Sequence, residues 1–317
     1  MIEIVKYESQ NKSNWDDLVG RSKNGTFLFH RDYMEYHSDR FLDSSLLFFE
    51  NGRLVSVMPA NVADNVFYSH AGLTYGGIVS DPKMKIELMM DLFGCLMTYL
   101  GQHRMKTLVY KTIPHIYHVV PAEEDLYALF RYGAKLISRD VASAIRLDEP
   151  IPFRTGAKRS IKRGKKNGLT IKQTDDFEGF MSILEEVLRS RYNVTPTHTS
   201  SEIVSLAQKF PENIKLFAAY KDELMLAGVI IYESIPVAHA QYIASSDTGK
   251  KMQAQALLFD SLITQYSSGK KYLDFGISTE KGGADLNRGL AAFKERFGAR
   301  AIAYDTYEVD VAHSKSL

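Results

Sequence analysis

The same order of predicted strands and helices occurs twice along this chain of 317 residues. Such a repeat limits the fold more than composition does, because each copy must bury its apolar faces in the same arrangement. The two copies share this order of elements and no repeated words. At about twice the length of a typical domain, the chain is expected to form two packed domains. We place the first over residues 1–150 and the second over residues 151–317.

The first copy combines a meander of strands with a long apolar helix. Asn51-Gly52 is a strong signal for a two-residue turn between strands, because both residue types accept a positive φ. Met84, Leu88 and Leu92 recur at helical spacing and predict a well-buried helix. The predicted elements are strand 2–7, helix 13–23 with Ser13 as its cap, helix 30–37, strands 46–50, 53–60 and 65–70, helix 83–101, strand 106–111, helix 123–132 and strand 134–147.

A connecting helix over residues 154–167 leads into the second copy. Its predicted elements are strand 169–174, helices 177–191 and 200–209, strands 213–220, 224–233 and 236–245, helix 250–267, strand 271–276, helix 287–297 and strand 300–308. Each copy follows the order β-α-α-β-β-β-α-β-α-β. The expected fold class is α/β, of the α+β kind, with a mixed, mostly antiparallel, twisted sheet flanked by helices in each domain.

Charge and composition exclude several classes of protein. Lysine plus arginine number 39 and aspartate plus glutamate number 38, so no net field attracts nucleic acid or an anionic membrane. The first residues lack a basic segment followed by an apolar core, and no apolar run reaches the ~20 residues that span a bilayer. Cys95 is the single cysteine, which excludes an internal disulfide. We expect a cytoplasmic protein without a metal, since the sequence has no paired-cysteine, His-x-x-x-His or Walker pattern.

Residues 293–298, Phe-Lys-Glu-Arg-Phe-Gly, resemble the Phe-Lys-x-x-Phe-Gly segment of Fem-like proteins. With the order of elements, this segment makes the chain similar to the Fem peptidoglycan aminoacyltransferases and their bacterial relatives, which are tandem GNAT (acyl-CoA N-acyltransferase) proteins. Residues 195–198, 274–280 and 286–290 resemble one bacterial subgroup of them. The resemblance implies that Lys294 lies over the acyl carbonyl and stabilises the oxyanion. The alternative is a solvated helix lysine.

The strand over residues 237–243 carries two polar side chains on one predicted face. Strict alternation places His239, Gln241 and Ile243 together and Tyr242 on the opposite face. In the fold that the resemblance implies, this is the fourth strand, whose backbone pairs with the acyl-thioester arm. His239 is then a candidate base for the attacking amine, with Gln241 and Tyr242 as substrate-binding residues. The alternative is a buried histidine that is merely hydrogen-bonded.

Other candidates lie in the loops of the second domain. His198 is in the loop between its first two helices, and the segment from Asp274 to Glu280 follows its fifth strand. A carboxylate there can bind an acceptor ammonium or take its proton. Asp274 and Glu280 are therefore predicted to be catalytic, and His198, Ser278 and Asn287 to bind substrate. The alternatives are that Asp274 only ends a strand, that Glu280 is only solvated, and that the loop with His198 only turns the chain.

The turn before the second long helix departs from the glycine-rich turn whose amides hold the pyrophosphate of acyl-CoA in this fold. Residues 245–254 contain one glycine, Gly249, followed by Lys250 and Lys251. We predict that these three residues bind acyl-CoA, with lysine charge in place of some backbone amides. The equivalent turn of the first half, residues 80–83, lacks the pattern entirely. The first domain is therefore expected to shape the acceptor site without being catalytic.

Residues 154–166 carry seven basic side chains and no acid. On a helix, Arg159 and Arg163 lie one turn apart, so they can bind a phosphate along one face. This arrangement suits a nucleotide-linked acceptor, a CoA phosphate or tRNA. The alternative is a solvated basic connector between the domains.

These features predict an N-acyltransferase that moves an acyl group from acyl-CoA to an amine. The acceptor is expected to be a small molecule such as an amino sugar, or a cell-envelope precursor. A Fem-type aminoacyl-tRNA donor is the second hypothesis, although the near-neutral charge gives little support to tRNA as a partner. The third is a binding module that keeps the fold without turnover.

Overall fold

The computed structural model describes residues 1–312, of which residues 191 and 192 are described by their backbone only. The chain folds into two compact units. Unit 1 contains Met1–Asp140, Glu280–Asp285 and residues 303–312. Unit 2 contains Val141–Thr279 and Leu286–Ile302.

The first half of the chain supplies most of unit 1. Its elements are β1 (Ile2–Lys6), α1 (Lys12–Arg21), α2 (Arg31–Met34), β2 (Leu46–Glu50), β3 (Arg53–Met58), β4 (Asn61–Ala63), β5 (Val66–Tyr68), β6 (Val79–Ser80), α3 (Ile86–Gln102), β7 (Thr107–Lys111), α4 (Glu124–Arg131) and β8 (Lys135–Arg146). Ser13 lies inside α1, so the predicted cap is wrong. A 3-10 turn over Ser9–Asn11 runs directly into the helix and starts it earlier.

The second half supplies the elements of unit 2 and the last strand. They are α5 (Thr155–Lys166), β9 (Thr170–Thr174), α6 (Phe177–Tyr192), α7 (Ser200–Lys209), β10 (Ile214–Lys221), β11 (Leu224–Glu233), β12 (Val237–Ser245), α8 (Asp247–Met252), α9 (Ala254–Tyr266), β13 (Tyr272–Ile277), β14 (Thr279–Glu280), β15 (Asp285–Leu286), α10 (Arg288–Glu295) and β16 (Arg300–Asp310). The predicted elements occur in the predicted order, and the structure adds the short strands β4, β6, β14 and β15 and the short helix α8.

Unit 1 holds two sheets where the sequence predicts one meander. One sheet has the order β1-β2-β3-β6, and the strands β4, β5, β7 and β16 follow one another in the other. The prediction that residues 65–70 continue the meander is wrong. Asp64 and Asn65 both have positive φ (51° and 62°), so β4 and β5 form their own hairpin. Helix α3 covers this unit with fully buried side chains that include Leu92, Phe93 and Leu96.

Unit 2 is a sheet in the order β13-β12-β11-β10-β9, with the second part of β8 next to β13. The pairs from β9 to β12 are antiparallel, whereas β12 and β13 are parallel. The parallel pairing joins Val237–His239 to Tyr272–Asp274 only. Within residues 1–312, β12 pairs with β11 alone from Ala240 onward. The two parallel strands therefore separate immediately after His239 and Asp274, which leaves one edge of β12 open.

A β-bulge at Gln241 shifts the faces of β12. Ile230 lies opposite Tyr242 and Ile231 lies opposite Ala240, so Gln241 is the extra residue. Ile243 packs with the apolar cluster that contains Ala238 and Ala240, whereas Tyr242 lies on the other face with His239. The predicted grouping of His239 with Ile243 is wrong, because simple alternation does not allow for an inserted residue.

The long helix predicted over residues 250–267 is divided into α8 and α9. Gln253 separates them and takes a left-handed conformation, with φ 65°. The part of α9 that packs on the sheet is apolar and includes Leu258, Phe259 and Leu262 in the core of unit 2. The break fixes the beginning of the buried helix at Ala254, several residues later than predicted.

Candidate functional site

His239 and Asp274 form a hydrogen-bonded pair at the point where β12 and β13 separate. The two residues lie directly opposite each other in the parallel ladder. His239 Nδ1 is 2.8 Å from Asp274 Oδ2, and the histidine side chain is 13% exposed. The Asp274 carboxylate is fully buried, and its Oδ1 accepts a hydrogen bond from the Gly276 amide at 2.9 Å. The site thus contains a histidine whose orientation is set by a buried carboxylate.

The carboxylate determines which nitrogen of His239 carries the proton. An ionised carboxylate only accepts hydrogen bonds, so it favours a hydrogen on Nδ1. The lone pair of Nε2 then remains as a proton acceptor. The pair lies where the open edge of β12 begins, and the histidine side chain is partly exposed there. This arrangement can act as a general base.

Lys294 is buried at the end of α10, with 2% exposure. Its Nζ donates hydrogen bonds to the carbonyl oxygens of Gly276 at 2.8 Å and Ile277 at 2.6 Å. Burial lowers the pKa of Lys294 to about 8, and the nearby charge of Asp274 opposes this shift. The alternative of a solvated helix lysine is therefore wrong. The ammonium holds the turn that follows Asp274.

Ser278 and Asn287 lie together, beyond the same turn. The Ser278 carbonyl accepts a hydrogen bond from the Asn287 amide at 2.9 Å, and Asn287 Oδ1 caps α10 by accepting from the Leu290 amide at 3.0 Å. Ser278 Oγ is buried, and no hydrogen-bond partner for it is found within residues 1–312. The capping of α10 is thus a structural role for Asn287. Glu280 is exposed and belongs to unit 1.

His198 and Tyr242 form a second contact on the face of β12 that carries His239. His198 Nδ1 is 2.6 Å from the Tyr242 hydroxyl, and the rings meet edge to face with centroids 5.8 Å apart. His198 is buried, and burial raises the pKa of Tyr242. A capping box between Thr199 and Glu202 begins α7 directly after His198. The loop from α6 is therefore attached to β12 one residue beyond the bulge.

Two of the three residues predicted to hold acyl-CoA, Gly249 and Lys250, have other partners in this structure. The Gly249 amide donates to Ser246 Oγ at 3.1 Å, and a Cβ at Gly249 would lie 2.3 Å from the Leu226 carbonyl oxygen. Lys250 forms an ion pair with Asp247 at 2.7 Å, whereas Lys251 is exposed. Gly249 is thus needed for close packing of α8 on β11, and its amide is already bound by Ser246, the N-cap residue of that helix.

The basic helix α5 lies against α9 through its apolar side. Ala157 and Ile161 belong to the core of unit 2, and Arg159 and Arg163 are exposed. Lys165 forms an ion pair with Asp260 at 3.0 Å. Within the described part of the chain, no acidic partner is found for five of its cations, which are Lys158, Arg159, Lys162, Arg163 and Lys166. The helix is an amphipathic part of unit 2 with an unpaired basic surface, and is more than a solvated connector.

The structure brings three of the predicted residues into one cluster: His239, Asp274 and Lys294. Gly276 connects them and was missed, although a glycine directly after an apolar strand is a signal for a turn with positive φ. Gln253 was also missed, because glutamine in a left-handed conformation has no sequence signal. Neither a group of three metal-ligating side chains nor a helix long and apolar enough to cross a membrane is found among the described residues.

Comparisons with known proteins agree with this architecture. Residues 152–307 match the family model described as an acetyltransferase (GNAT) domain. No curated protein matches the chain significantly.

Solved structures that resemble the chain are distant in sequence. A FemX structure is 13% identical, with a TM-score of 0.68 and coverage of 97% of both chains. The L-PGS structure from Bacillus licheniformis is 10% identical, with a TM-score of 0.63, and the match covers 98% of this chain and 94% of that one. A tandem GNAT protein from the clavulanic acid biosynthesis pathway is 11% identical, with a TM-score of 0.51 and coverage of 98% and 99%. At such identities the likeness is one of fold.

Proposed function

Because the chain has a tandem GNAT fold, with a GNAT acetyltransferase domain over residues 152–307, we propose that it is an N-acyltransferase that acts in unit 2. The observation that carries the proposal is the His239–Asp274 pair at the separation of β12 and β13. An open strand edge beside an oriented base is suited to holding an acyl donor while an amine attacks it. Unit 1, by contrast, is proposed to shape the acceptor site.

The proposed reaction forms an amide. The amine nitrogen of the acceptor attacks the acyl carbonyl, and a new C–N bond replaces the bond between the acyl carbon and its leaving group. His239 Nε2 takes the proton that the nitrogen loses, and the Asp274 carboxylate stabilises the imidazolium that results. The thiol leaving group of an acyl-CoA departs as a thiolate, which takes up a proton from solvent. Base catalysis of this kind contributes about 10²- to 10⁴-fold to a rate.

Acyl-CoA is the donor that we favour. The backbone of β12 beyond Ala240 has an edge on which an extended amide-containing arm can form hydrogen bonds. The turn that ends at Gln253 precedes α9, so the first amides of α9 are better placed for a diphosphate than Gly249 is. Lys251 remains as a nearby exposed cation. Acyl-CoA is made inside the cell, so the proposal implies a cytoplasmic enzyme.

The acceptor is proposed to be an amine on a small molecule such as an amino sugar, or on a cell-envelope precursor. His198 and Tyr242 lie on the same face of β12 as His239, and we assign them to acceptor binding together with Gln241. The fold likeness to FemX is consistent with an envelope precursor without specifying one.

Aminoacyl-tRNA is the second candidate donor, and helix α5 is the observation that favours it. Its five cations without acidic partners, from Lys158 to Lys166, extend over about two turns of the helix, a spacing that fits successive phosphates of a nucleic acid better than a single diphosphate. Neutralising Lys158, Arg159, Lys162 and Arg163 is expected to remove tRNA binding and to leave acyl-CoA binding nearly unchanged.

A thermal-shift titration distinguishes these donors. The ligands are acetyl-CoA, longer acyl-CoAs, free CoA and uncharged tRNA, and a ligand at 100 times its Kd adds roughly 2.7 kcal/mol to stability. We expect a saturable shift with a CoA ester. A shift with tRNA and with no CoA species would favour aminoacyl-tRNA as the donor. If neither tRNA nor any CoA species gives a shift, acyl transfer from both kinds of donor is rejected.

Turnover separates an enzyme from a binding module. Release of CoA is followed with a thiol reagent in the presence of amino sugars or amine-bearing envelope precursors. His239→Gln should abolish turnover and keep the thermal shift with acyl-CoA. Wild-type protein that binds acyl-CoA and releases no CoA with any acceptor would instead support the binding module.

A further inference from the structure

The turn after Asp274 lies directly against the imidazole of His239. Gly276 has φ +72°, and a Cβ on this residue would be 3.3 Å from His239 Cε1. The ladder between β13 and β8 is interrupted between Asp274 and Ile277, so pairing with β8 holds the two ends of this turn and leaves Gly276 unpaired. The backbone carbonyl of Gly276 therefore depends on another contact.

Lys294 supplies that contact. Its Nζ binds the carbonyl oxygens of the two consecutive residues Gly276 and Ile277, at 2.8 and 2.6 Å. The Gly276 amide in turn binds Asp274 Oδ1, and Asp274 Oδ2 binds His239 Nδ1. Four hydrogen bonds thus join the end of α10 to the proposed base.

We propose that Lys294 is a positioning residue, which holds the turn at Gly276 so that Asp274 keeps His239 in the form with a free Nε2. The inference rests on the proposed function only in taking Nε2 as the proton acceptor; the positioning itself is a property of the protein without substrate. It differs from the role that the resemblance implies, in which the lysine stabilises the oxyanion.

The geometry favours positioning for two reasons. Two of the three N–H groups of the ammonium are used on backbone carbonyls, and the side chain is 2% exposed. Burying an ammonium costs free energy unless the charge is hydrogen-bonded and paired with an opposite charge. Here the positive charge of Lys294 also stabilises the buried Asp274 carboxylate. At most one N–H group of Lys294 is left for the acyl oxygen, whereas two are committed to the turn.

The tautomer of His239 tests the inference directly. Nitrogen-15 spectra of the nine histidines, assigned with His239→Gln, report which ring nitrogen carries the proton. Lys294→Met removes the ammonium and keeps a flexible side chain of similar length. Lys294→Gln is a second variant, which retains one donor group, in case the methionine variant does not fold. The matched control is Lys270→Met, because Lys270 also binds a backbone carbonyl, that of Ser234, elsewhere in unit 2.

We expect wild-type His239 to show the Nδ1–H form and Lys294→Met to show averaged signals of both tautomers. The value of kcat should fall about 10²-fold with the KM of the donor unchanged, since misplacement of a catalytic group has an effect of this size. Lys270→Met should leave the His239 signals as in wild type. Lys294→Gln should lie between Lys294→Met and wild type in both readouts.

Two results would overturn the inference. If kcat falls in Lys294→Met while the His239 signals stay unchanged, the lysine acts on the substrate and not on the base. If Lys270→Met disturbs His239 as much as Lys294→Met does, the effect is a general loss of packing. Because the spectra need no substrate, they decide the positioning role even if the proposed acyl transfer fails. Loss of turnover in His239→Gln tests the proposed function separately.

Discussion

The two ring nitrogens of His239 have different surroundings. Nδ1 faces the buried carboxylate of Asp274, whereas no hydrogen-bond partner of Nε2 is found within residues 1–312. Asp274→Asn keeps the size of the side chain and offers an N–H group toward Nδ1 in place of an acceptor. We expect the proton to move to Nε2 and kcat to fall about 10²- to 10⁴-fold, as for the loss of a general base. Steady-state kinetics with saturating donor measure the change.

Histidine 103 supplies a control for this prediction. It lies at the end of α3 in unit 1, where its ring is exposed and stacks on Tyr99. His103→Gln should keep wild-type kcat. If Asp274→Asn leaves kcat unchanged, His239 is not the general base of the reaction, whichever group the enzyme transfers.

Burial of Lys294 predicts a pH dependence of stability. Its pKa is lowered from 10.5 in a free lysine to about 8 in the folded protein. Between these values the unfolded chain binds more protons than the folded one, so the free energy of unfolding contributed by this group rises with pH. Relative to Lys294→Met, wild type should therefore gain stability from pH 8 to about pH 10. Urea unfolding of both proteins across this range measures the difference, and a constant difference would contradict the lowered pKa.

At the scale of elements, the crossing of α5 and α9 depends on a glycine. A Cβ on Gly164 would lie 3.0 Å from Leu257 Cβ and 3.2 Å from the Gln253 carbonyl oxygen. Gly156 of the same helix has no atom within 4 Å of such a Cβ. Alanine favours a helix over glycine by about 0.5–1 kcal/mol, so Gly156→Ala should raise the free energy of unfolding by that amount. Gly164→Ala should lose this gain or become destabilising, because it overpacks the contact.

Chemical denaturation of the two alanine variants gives a direct comparison. Equal stabilisation by both would mean that α5 does not lie against α9 as closely as these distances require. Gly156→Ala without any gain would place residue 156 in the frayed first turn, where helix propensity has little effect.

Strands and helices of this chain were predictable where the spacing of apolar residues and the turn-forming residues indicate the same boundaries. The Asn51-Gly52 hairpin was predictable because asparagine and glycine accept a positive φ, and the observed values are 50° and 80°. The bulge at Gln241 and the break at Gln253 were not, because each depends on packing against neighbouring elements and not on the residue type. The bulge decides which side chains of β12 share a face with His239, so the composition of the site could be predicted better than its geometry.

At the scale of the whole molecule, the candidate site depends on pairing between distant segments. His239 and Asp274 are 35 residues apart, and they meet because parallel pairing of β12 and β13 places them in register. The sequence identified both residues through resemblance and did not predict their hydrogen bond, since register between parallel strands is set by the whole sheet. The resemblance also assigned Lys294 to the site, but the sequence did not predict that its side chain is buried.

The division into two domains at residue 150 leads to a prediction about fragments. Unit 2 begins at Val141, and Ile145 and Leu147 belong to its apolar core. A fragment of residues 151–317 lacks both side chains and the part of β8 that pairs with β13, where Ala144 lies opposite Asp274. A fragment of residues 141–317 keeps them. Full burial of each aliphatic side chain contributes roughly 1.5–3 kcal/mol, so the shorter fragment should be less stable by several such contributions.

Thermal unfolding followed by circular dichroism compares the two fragments with the intact chain. We expect residues 141–317 to unfold cooperatively at a higher temperature than residues 151–317, and to have the more intense near-ultraviolet signal. Both fragments still carry residues 280–285 and 303–312, which belong to unit 1, so neither should reach the stability of the whole protein. Equal melting temperatures for the two fragments would show that β8 contributes nothing to unit 2. That result would support the predicted domain boundary at residue 150.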